Sequence, residues 1–322
     1  MPIMKAVLLV GGKGTRLRPL TYRIPKPLIP VMGKPLMMHV IDSLPEEVDE
    51  TIVPVGYMRE VMERYLEENP PRRKITIVEE KEPMGTGGAV KNVEDYIDGP
   101  FLVINGDSIS SLDVGRFIGF HERKKAFATI SLWEVDDPTP FGIVNLDDDE
   151  RIRRFQEKPR REEAFSRLAN AGVYALDFGV LDYIGGGFVS MEREVFPRIL
   201  DKGMYGLRFD GYWVDCGTRE NLLAAFRTLM RGGSMDDRTP APAVIEDKAQ
   251  VEGAIIGPSS YISSGAFIGR SARIENSVVY QEATIGSGCT ISNSVVDVGT
   301  IIPDNAEVRD VIVSSVEPPL RD

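Results

Sequence analysis

With 322 residues and 42% hydrophobic side chains, the chain is longer than a usual single domain and predicts one large domain plus a smaller one. Its 38 Lys and Arg against 49 Asp and Glu leave a net charge of -11. This argues against nucleic acid or an anionic membrane as a partner, since either needs an extended basic field. Two distant cysteines, Cys216 and Cys289, give no disulfide framework or zinc site. The apolar run before Gly11 is too short for a signal peptide, and no run of about 18 apolar residues occurs, so a cytoplasmic setting is expected.

In chain order, "KAVLLV" (Lys5–Val10) predicts a buried strand ending in the loop "GGKGTRLR" (Gly11–Arg18). Glycines let a backbone approach a ligand, and Lys13, Arg16 and Arg18 suit an anion. The loop is neither a Walker A sequence nor a dinucleotide fingerprint, because Leu17 takes the place of the third glycine. A helix is expected over Pro35–Leu44, a strand at "TIVPV" (Thr51–Val55), a helix over Met58–Glu68, and strands at "ITIVE" (Ile75–Glu79) and "FLVIN" (Phe101–Asn105). This alternation predicts an α/β domain over residues 1–230, built on a mostly parallel sheet. Ligands in such sheets sit beyond the carboxyl ends of the strands, which singles out the loops Gly11–Arg18 and Asn105–Ser108.

A linker is expected over residues 231–243, and the period then changes. Ile245, Val251, Ile256, Ile262, Ile268, Ile274, Val279, Ile285, Ile291, Val296, Ile302 and Val308 recur at steps of six or five residues. The similar stretches "IENSVVY", "ISNSVVD" and "VRDVIVS" begin 17 residues apart, at Ile274, Ile291 and Val308. Hexapeptide periodicity predicts a left-handed parallel β-helix over residues 244–322, C-terminal tail included. So short a stack leaves an open end, and docking on other parts of the chain or on another copy is expected.

"GGKGTRLRPLT" with "PKPLIPVMGKP" (Pro25–Pro35) resembles the signature of the sugar-1-phosphate nucleotidylyltransferases. "MGTGGAV", "INGDS", "FGIV", "FQEKP", "NAGVY" and "WVDCGT" follow in the family's order between Met84 and Thr218. The resemblance implies a Rossmann-like nucleotidyltransferase domain with a mixed, mostly parallel sheet, to which a hexapeptide β-helix is commonly appended. It also implies a reaction in which a sugar-1-phosphate oxygen attacks the α-phosphorus of a nucleoside triphosphate and expels pyrophosphate. "LVGG" and "SMEREVFP" look like the subgroup that joins GTP to mannose-1-phosphate, while "MGTGGA" and "NGDS" depart from its more frequent forms. Thymidylyl or uridylyl transfer to glucose-1-phosphate stays open, as does a non-catalytic, nucleotide-sugar-sensing subunit.

By this resemblance, Asp107 and Asp215 hold Mg²⁺, a hard cation suited to bridging phosphates. Taken alone, Asp107 reads equally as the cap of a helix starting near Ser111, and Asp215 as a turn residue. The resemblance places Lys26 at the α-phosphate and Lys158 at the sugar phosphate. The amides of Gly12, Gly14 and Thr15, with the Arg16 guanidinium, are expected at the triphosphate, and Leu9, Gly11, Gly85 and Thr86 at the base. Gly142, Glu157, Asn170 and Gly172 complete the expected sugar pocket. Arg18 fits a ligand or an internal ion pair, and Lys13 is expected to face solvent. A phosphate monoester is largely dianionic at neutral pH, so neither His39 nor His121 is needed as a base. No histidine follows His121, which argues against acyl transfer on the β-helix; that helix is expected to be structural and to support a homo-oligomer.

Overall fold

The computed structural model describes residues 4–316, so the tail expected to run to 322 lies, from 317 on, outside the described residues. β1 (Met4–Leu9) leads into three single 3-10 turns, at Thr15–Leu17, Leu20–Tyr22 and Lys26–Leu28. A hairpin of β2 (Pro30–Val31) and β3 (Lys34–Pro35) precedes α1 (Leu36–Ser43). Then β4 (Val48–Val55), α2 (Arg59–Glu68), β5 (Lys74–Glu79), α3 (Gly85–Lys91) and β6 (Phe101–Asn105) alternate. The chain continues through β7 (Ser108–Ser110), α4 (Val114–Lys124), β8 (Ala128–Glu134), β9 (Gly142–Leu146), β10 (Ile152–Glu157) and β11 (Leu168–Leu176). α5 (Phe196–Ile199), β12 (Met204–Arg208), β13 (Trp213–Asp215) and α6 (Arg219–Met230) follow.

The four strands read from their apolar runs all form: β6 has the expected bounds, β4 and β5 start earlier, and β1 gains Met4 but stops before Val10. α1 starts one residue later than expected, and so does α2, because Met58 takes a left-handed φ of 55° ahead of it. The main sheet has nine strands in the order β10-β9-β11-β6-β1-β4-β5, with β8 beside β11 and β12 beside β8. β6, β1, β4 and β5 run parallel, as strands joined by crossover helices must, whereas β11 runs antiparallel to β6. Phe101, Leu102 and Val103 of β6 are fully buried, in keeping with a strand covered on both faces.

From Val244 the chain forms three parallel sheets of five, four and four short strands, the faces of a parallel β-helix. Tyr261 pairs with Val278 and Val278 with Val295, steps of 17 residues that match the repeat in the sequence. Ile262, Ile268, Ile274, Val279, Ile285, Ile291, Val296, Ile302 and Val308 form one buried stack, with Val251 and Ile256 partly buried against it. Ile245, the first of the periodic residues, departs from this pattern and is exposed. The stretch 231–243 is tied down: Arg231 Nη1 pairs with Asp237 Oδ1 at 2.7 Å, and buried Ala241 accepts from the Ser259 amide at 2.8 Å.

The compact units do not follow the chain. One comprises the chain up to Gly12 with Met37–Gly106 and Ser111–Trp213; the other comprises Lys13–Leu36, Asp107–Ser110 and the chain from Val214. The β-helix therefore shares a unit with the segment that carries Arg16 and Lys26. Among the described residues, no helix is long and apolar enough to cross a membrane.

His121, on α4, is buried, with Nδ1 2.9 Å from Thr129 Oγ1. Burial pushes its pKa down from 6.5 to about 4, only partly opposed by the Asp177 charge. The unfolded chain therefore takes up a proton near pH 6.5 that the folded chain refuses until about pH 4. This contribution to stability is complete above pH 6.5 and is lost as pH falls toward 4, by about 3 kcal/mol in all. Urea unfolding from pH 7.5 to 4 should show the wild type losing more stability than His121→Asn by about that amount; equal pH slopes would refute the assignment.

Candidate active site

Asp107 lies in the turn between β6 and β7, and Asp215 ends β13. β7 and β13 pair as a two-stranded ribbon, and the Cys216 amide donates to the Asp107 carbonyl at 3.0 Å. Two carboxylates 108 positions apart in sequence thus leave neighbouring ends of one ribbon. Asp107 is not a helix cap, because α4 starts at Val114 and its cap is Asp113, which accepts from the Arg116 amide at 2.9 Å.

Lys26 opens the 3-10 turn Lys26–Leu28 between Pro25, at φ -65°, and Pro27, so its backbone has little freedom left to lose. Its side chain is largely buried, and Nζ donates to Asp107 Oδ2 at 2.8 Å while lying 3.7 Å from Asp215 Oδ1. Burial and the Asp107 charge push the Asp215 carboxyl above the usual carboxylate range, opposed by Lys26 and Arg16. Arg16 joins this group through Gly217, where an added Cβ would sit 2.7 Å from Arg16 Nη2 and 3.0 Å from Asp215 Oδ1. With no Cβ on Gly217, the guanidinium rests against that turn.

Gly14 takes a left-handed φ of 60° to open the turn Thr15–Leu17, and Thr21 Oγ1 donates to its carbonyl at 3.0 Å. The first amides of such a turn have no acceptor within it. Gly12, Lys13, Thr15 and Arg16 are exposed, while buried Leu17 anchors the loop. Arg18 stacks over the Tyr22 ring, 5.0 Å from its centroid, a contact within the chain. Leu9 pairs with Asn105 across the parallel strands, and Gly11 faces Glu80, whose Oε2 lies 3.9 Å from where a Cβ would be.

A cavity of ≈ 390 Å³ brings together Gly142, Glu157, Lys158 and Asn170, all expected at the sugar, with Gly85 and Thr86, expected at the base. Gly172 lies behind this lining: its amide donates to Asn170 Oδ1 at 2.9 Å, and at φ +80° a Cβ would meet Asn105 Nδ2 at 2.5 Å. Lys158 has a left-handed φ of 47°, held by its amide bond to the Phe141 carbonyl at 3.0 Å. Its Nζ lies 3.7 Å from Glu157 Oε1, so Glu157 has a lysine beside it.

The residue that sequence reasoning missed is Glu192. Its Oε2 accepts from Thr86 Oγ1 at 2.7 Å and from Ser190 Oγ at 2.8 Å, and its Oε1 from the Tyr174 hydroxyl at 3.2 Å. Tyr174 in turn accepts from Asn170 Nδ2 at 2.8 Å. In sequence, Glu192 stands only within the motif "SMEREVFP"; a π-helical turn at Met191–Val195 carries it, and it joins the cavity lining. Only its place in a recognised motif could have marked it. Burial, and next the Glu192 charge, raise the Glu157 carboxyl above its ordinary pKa, opposed by Lys158 and Arg193. Glu192→Gln should therefore move the Glu157 titration to lower pH, read from side-chain carboxyl ¹³C shifts; an unmoved Glu157 would show that the two charges do not interact.

Residues 5–232 match the family model described as Nucleotidyl transferase, and residues 239–318 match the GMPPB C-terminal domain. The chain is 34% identical over 313 residues to mannose-1-phosphate guanylyltransferase 1 of Arabidopsis thaliana, covering 91% of this chain and 86% of that protein. It is 34% identical over 302 residues to the mannose-1-phosphate guanylyltransferase of Mycobacterium tuberculosis, covering 89% and 82%. Among solved structures it is similar to HddC from Yersinia pseudotuberculosis, with TM-score 0.60 and 30% identity over 70% of this chain and 99% of that one. A family match across the α/β elements, together with relatives at this identity over nine-tenths of the chain, establishes that the chain belongs to the nucleotidyl transferase family and that its activity is nucleotidyl transfer.

Proposed function

We propose that the chain transfers GMP from GTP to mannose-1-phosphate, forming GDP-mannose and pyrophosphate with Mg²⁺, in the cytoplasm. The observation that carries this reading is the Lys26 ammonium set between the Asp107 and Asp215 carboxylates. The names of the relatives and the "LVGG" and "SMEREVFP" motifs support the choice of base and sugar. Self-association through the β-helix is part of the same proposal.

The donor set suits a hard cation, because it consists of two carboxylates and no sulfur or imidazole. Among the described residues, no group of three or more His, Cys, Asp or Glu gathers that could hold a metal. The protein then offers two oxygen ligand residues and leaves the remaining positions to phosphate and water, the sharing typical of Mg²⁺. When bound, Mg²⁺ supplies neutralisation of the charge on phosphate oxygens.

Two groups of residues divide the work. Arg16 and the amides of Gly12, Gly14 and Thr15 hold the β- and γ-phosphates, and Lys26 withdraws charge at the α-phosphate. Lys158 holds the sugar phosphate, and Glu157 accepts from sugar hydroxyls alongside the Asn170 side chain and backbone groups of Gly142. The dianionic sugar phosphate needs no base: its oxygen forms the new bond to the α-phosphorus as the bond to the β-phosphate breaks, and pyrophosphate leaves with the electron pair.

Pyrophosphate release from GTP, dTTP, UTP, ATP and CTP against mannose-, glucose- and N-acetylglucosamine-1-phosphate tests the reading. GTP with mannose-1-phosphate should dominate; dominance of dTTP or UTP with glucose-1-phosphate would overturn the specificity, and release with no pair would favour a sensing subunit. Asp107→Asn should stay folded and lose at least about a hundredfold in turnover, since a metal clamp contributes several kcal/mol. Lys158→Ala should raise KM for the sugar-1-phosphate by about tenfold or more with triphosphate binding unchanged, and a triphosphate defect alone would reassign it.

A further inference from the structure

The segment carrying Lys26 rests on the β-helix at two points. Tyr280, on a β-helix coil, donates its hydroxyl to the Pro30 carbonyl at 2.8 Å. At the tip of the β2–β3 hairpin, a Cβ on Gly33 would lie 3.2 Å from Glu246 Oε1 and 3.6 Å from the Tyr261 hydroxyl. Tyr261 donates to that same Glu246 oxygen, and the Ser264 amide fixes the other at 2.6 Å. A third contact reaches the Asp215 side: α6 begins four residues after Asp215, and its Phe226 ring packs 5.0 Å from Tyr261 and 6.3 Å from Tyr280.

Three residues separate Pro30 from Lys26, and the stretch is stiff. Pro27 and Pro30 restrict the backbone, Ile29 is fully buried, and its amide donates to the Lys26 carbonyl at 3.0 Å. A shift at Pro30 therefore passes to Lys26 instead of being absorbed. Tyr280 is itself buried, and burial keeps its phenol protonated and a donor. A phenylalanine would pack against Phe226 as well as a tyrosine does; what the hydroxyl adds is the grip on Pro30.

We propose that the β-helix is a working part of the catalytic site, with Tyr280 as a positioning residue that fixes Lys26 between Asp107 and Asp215. This rests on the role given above to Lys26 at the α-phosphate. It makes the C-terminal domain a determinant of turnover within one chain, apart from any part in self-association.

In the full-length protein, Tyr280→Phe should lower kcat for pyrophosphate release about tenfold, with KM for both substrates unchanged. Ile302→Val, which trims the buried β-helix stack, should lower Tm by a similar amount and leave kcat at the wild-type value. A Tyr280→Phe kcat within about twofold of wild type would overturn the proposal, as would an equal kcat loss in Ile302→Val. Should Tyr280→Phe fail to fold, Tyr261→Phe, which releases Glu246 from its place beside Gly33, should cost about threefold in kcat, with no loss counting against the proposal. If the wild type releases no pyrophosphate with any substrate pair, the proposed function fails separately, and amide exchange across residues 26–36 decides the positioning claim. Faster exchange in Tyr280→Phe than in Ile302→Val supports it, and equal exchange refutes it.

Discussion

Two carboxylates that sit close together and partly out of water need a cation, and here Lys26 supplies it. Its Nζ, 2.8 Å from Asp107 and 3.7 Å from Asp215, offsets a repulsion that would otherwise drive one carboxyl to keep its proton. Much of the surrounding structure serves that placement. Prolines on either side of Lys26 limit its backbone, the β7–β13 ribbon brings the two aspartates to adjacent strand ends, and Gly217 makes room for Arg16 beside Asp215. Removing the lysine would leave two part-buried like charges facing each other, which costs more than the loss of one hydrogen bond between neutral groups.

The cavity holds a second pair of acids, Glu157 and Glu192, balanced in another way. Glu192 is held by three hydroxyls, from Thr86, Ser190 and Tyr174, while Glu157 responds to burial and to its neighbour by binding a proton more readily. Neutral donors fix the Glu192 carboxylate without tying up Lys158 or Arg193, the two cations of the same lining. The first pair shares one ammonium; in the second, Glu192 meets hydroxyls while Glu157 lies 3.7 Å from Lys158.

How much of this could be read in advance depended on how local the signal was. The β-helix was legible almost residue by residue, since one aliphatic side chain per hexad turns inward on each face, and nine of the twelve periodic positions lie in the buried stack. Ile245 escaped because periodicity does not reveal that the first coil has no further coil covering it. Asp107 as a helix cap and Asp107 as a ligand could not be separated from sequence; Asp113 in the cap position removes the first of these readings. Glu192 was invisible because its direction depends on a π-helical turn, which alternating charges do not announce.

The sequence by itself determined four strands of the main sheet, the helices after the first two of them, the repeat and the residue types able to hold phosphate, because period and composition report which side chains must leave water. Only the tertiary structure decided which of them meet. Lys26, Asp107 and Asp215 come from three distant parts of the chain, and Tyr280 reaches back 250 positions to Pro30. Such encounters depend on how whole elements pack, and no local pattern encodes a partner so far along the chain.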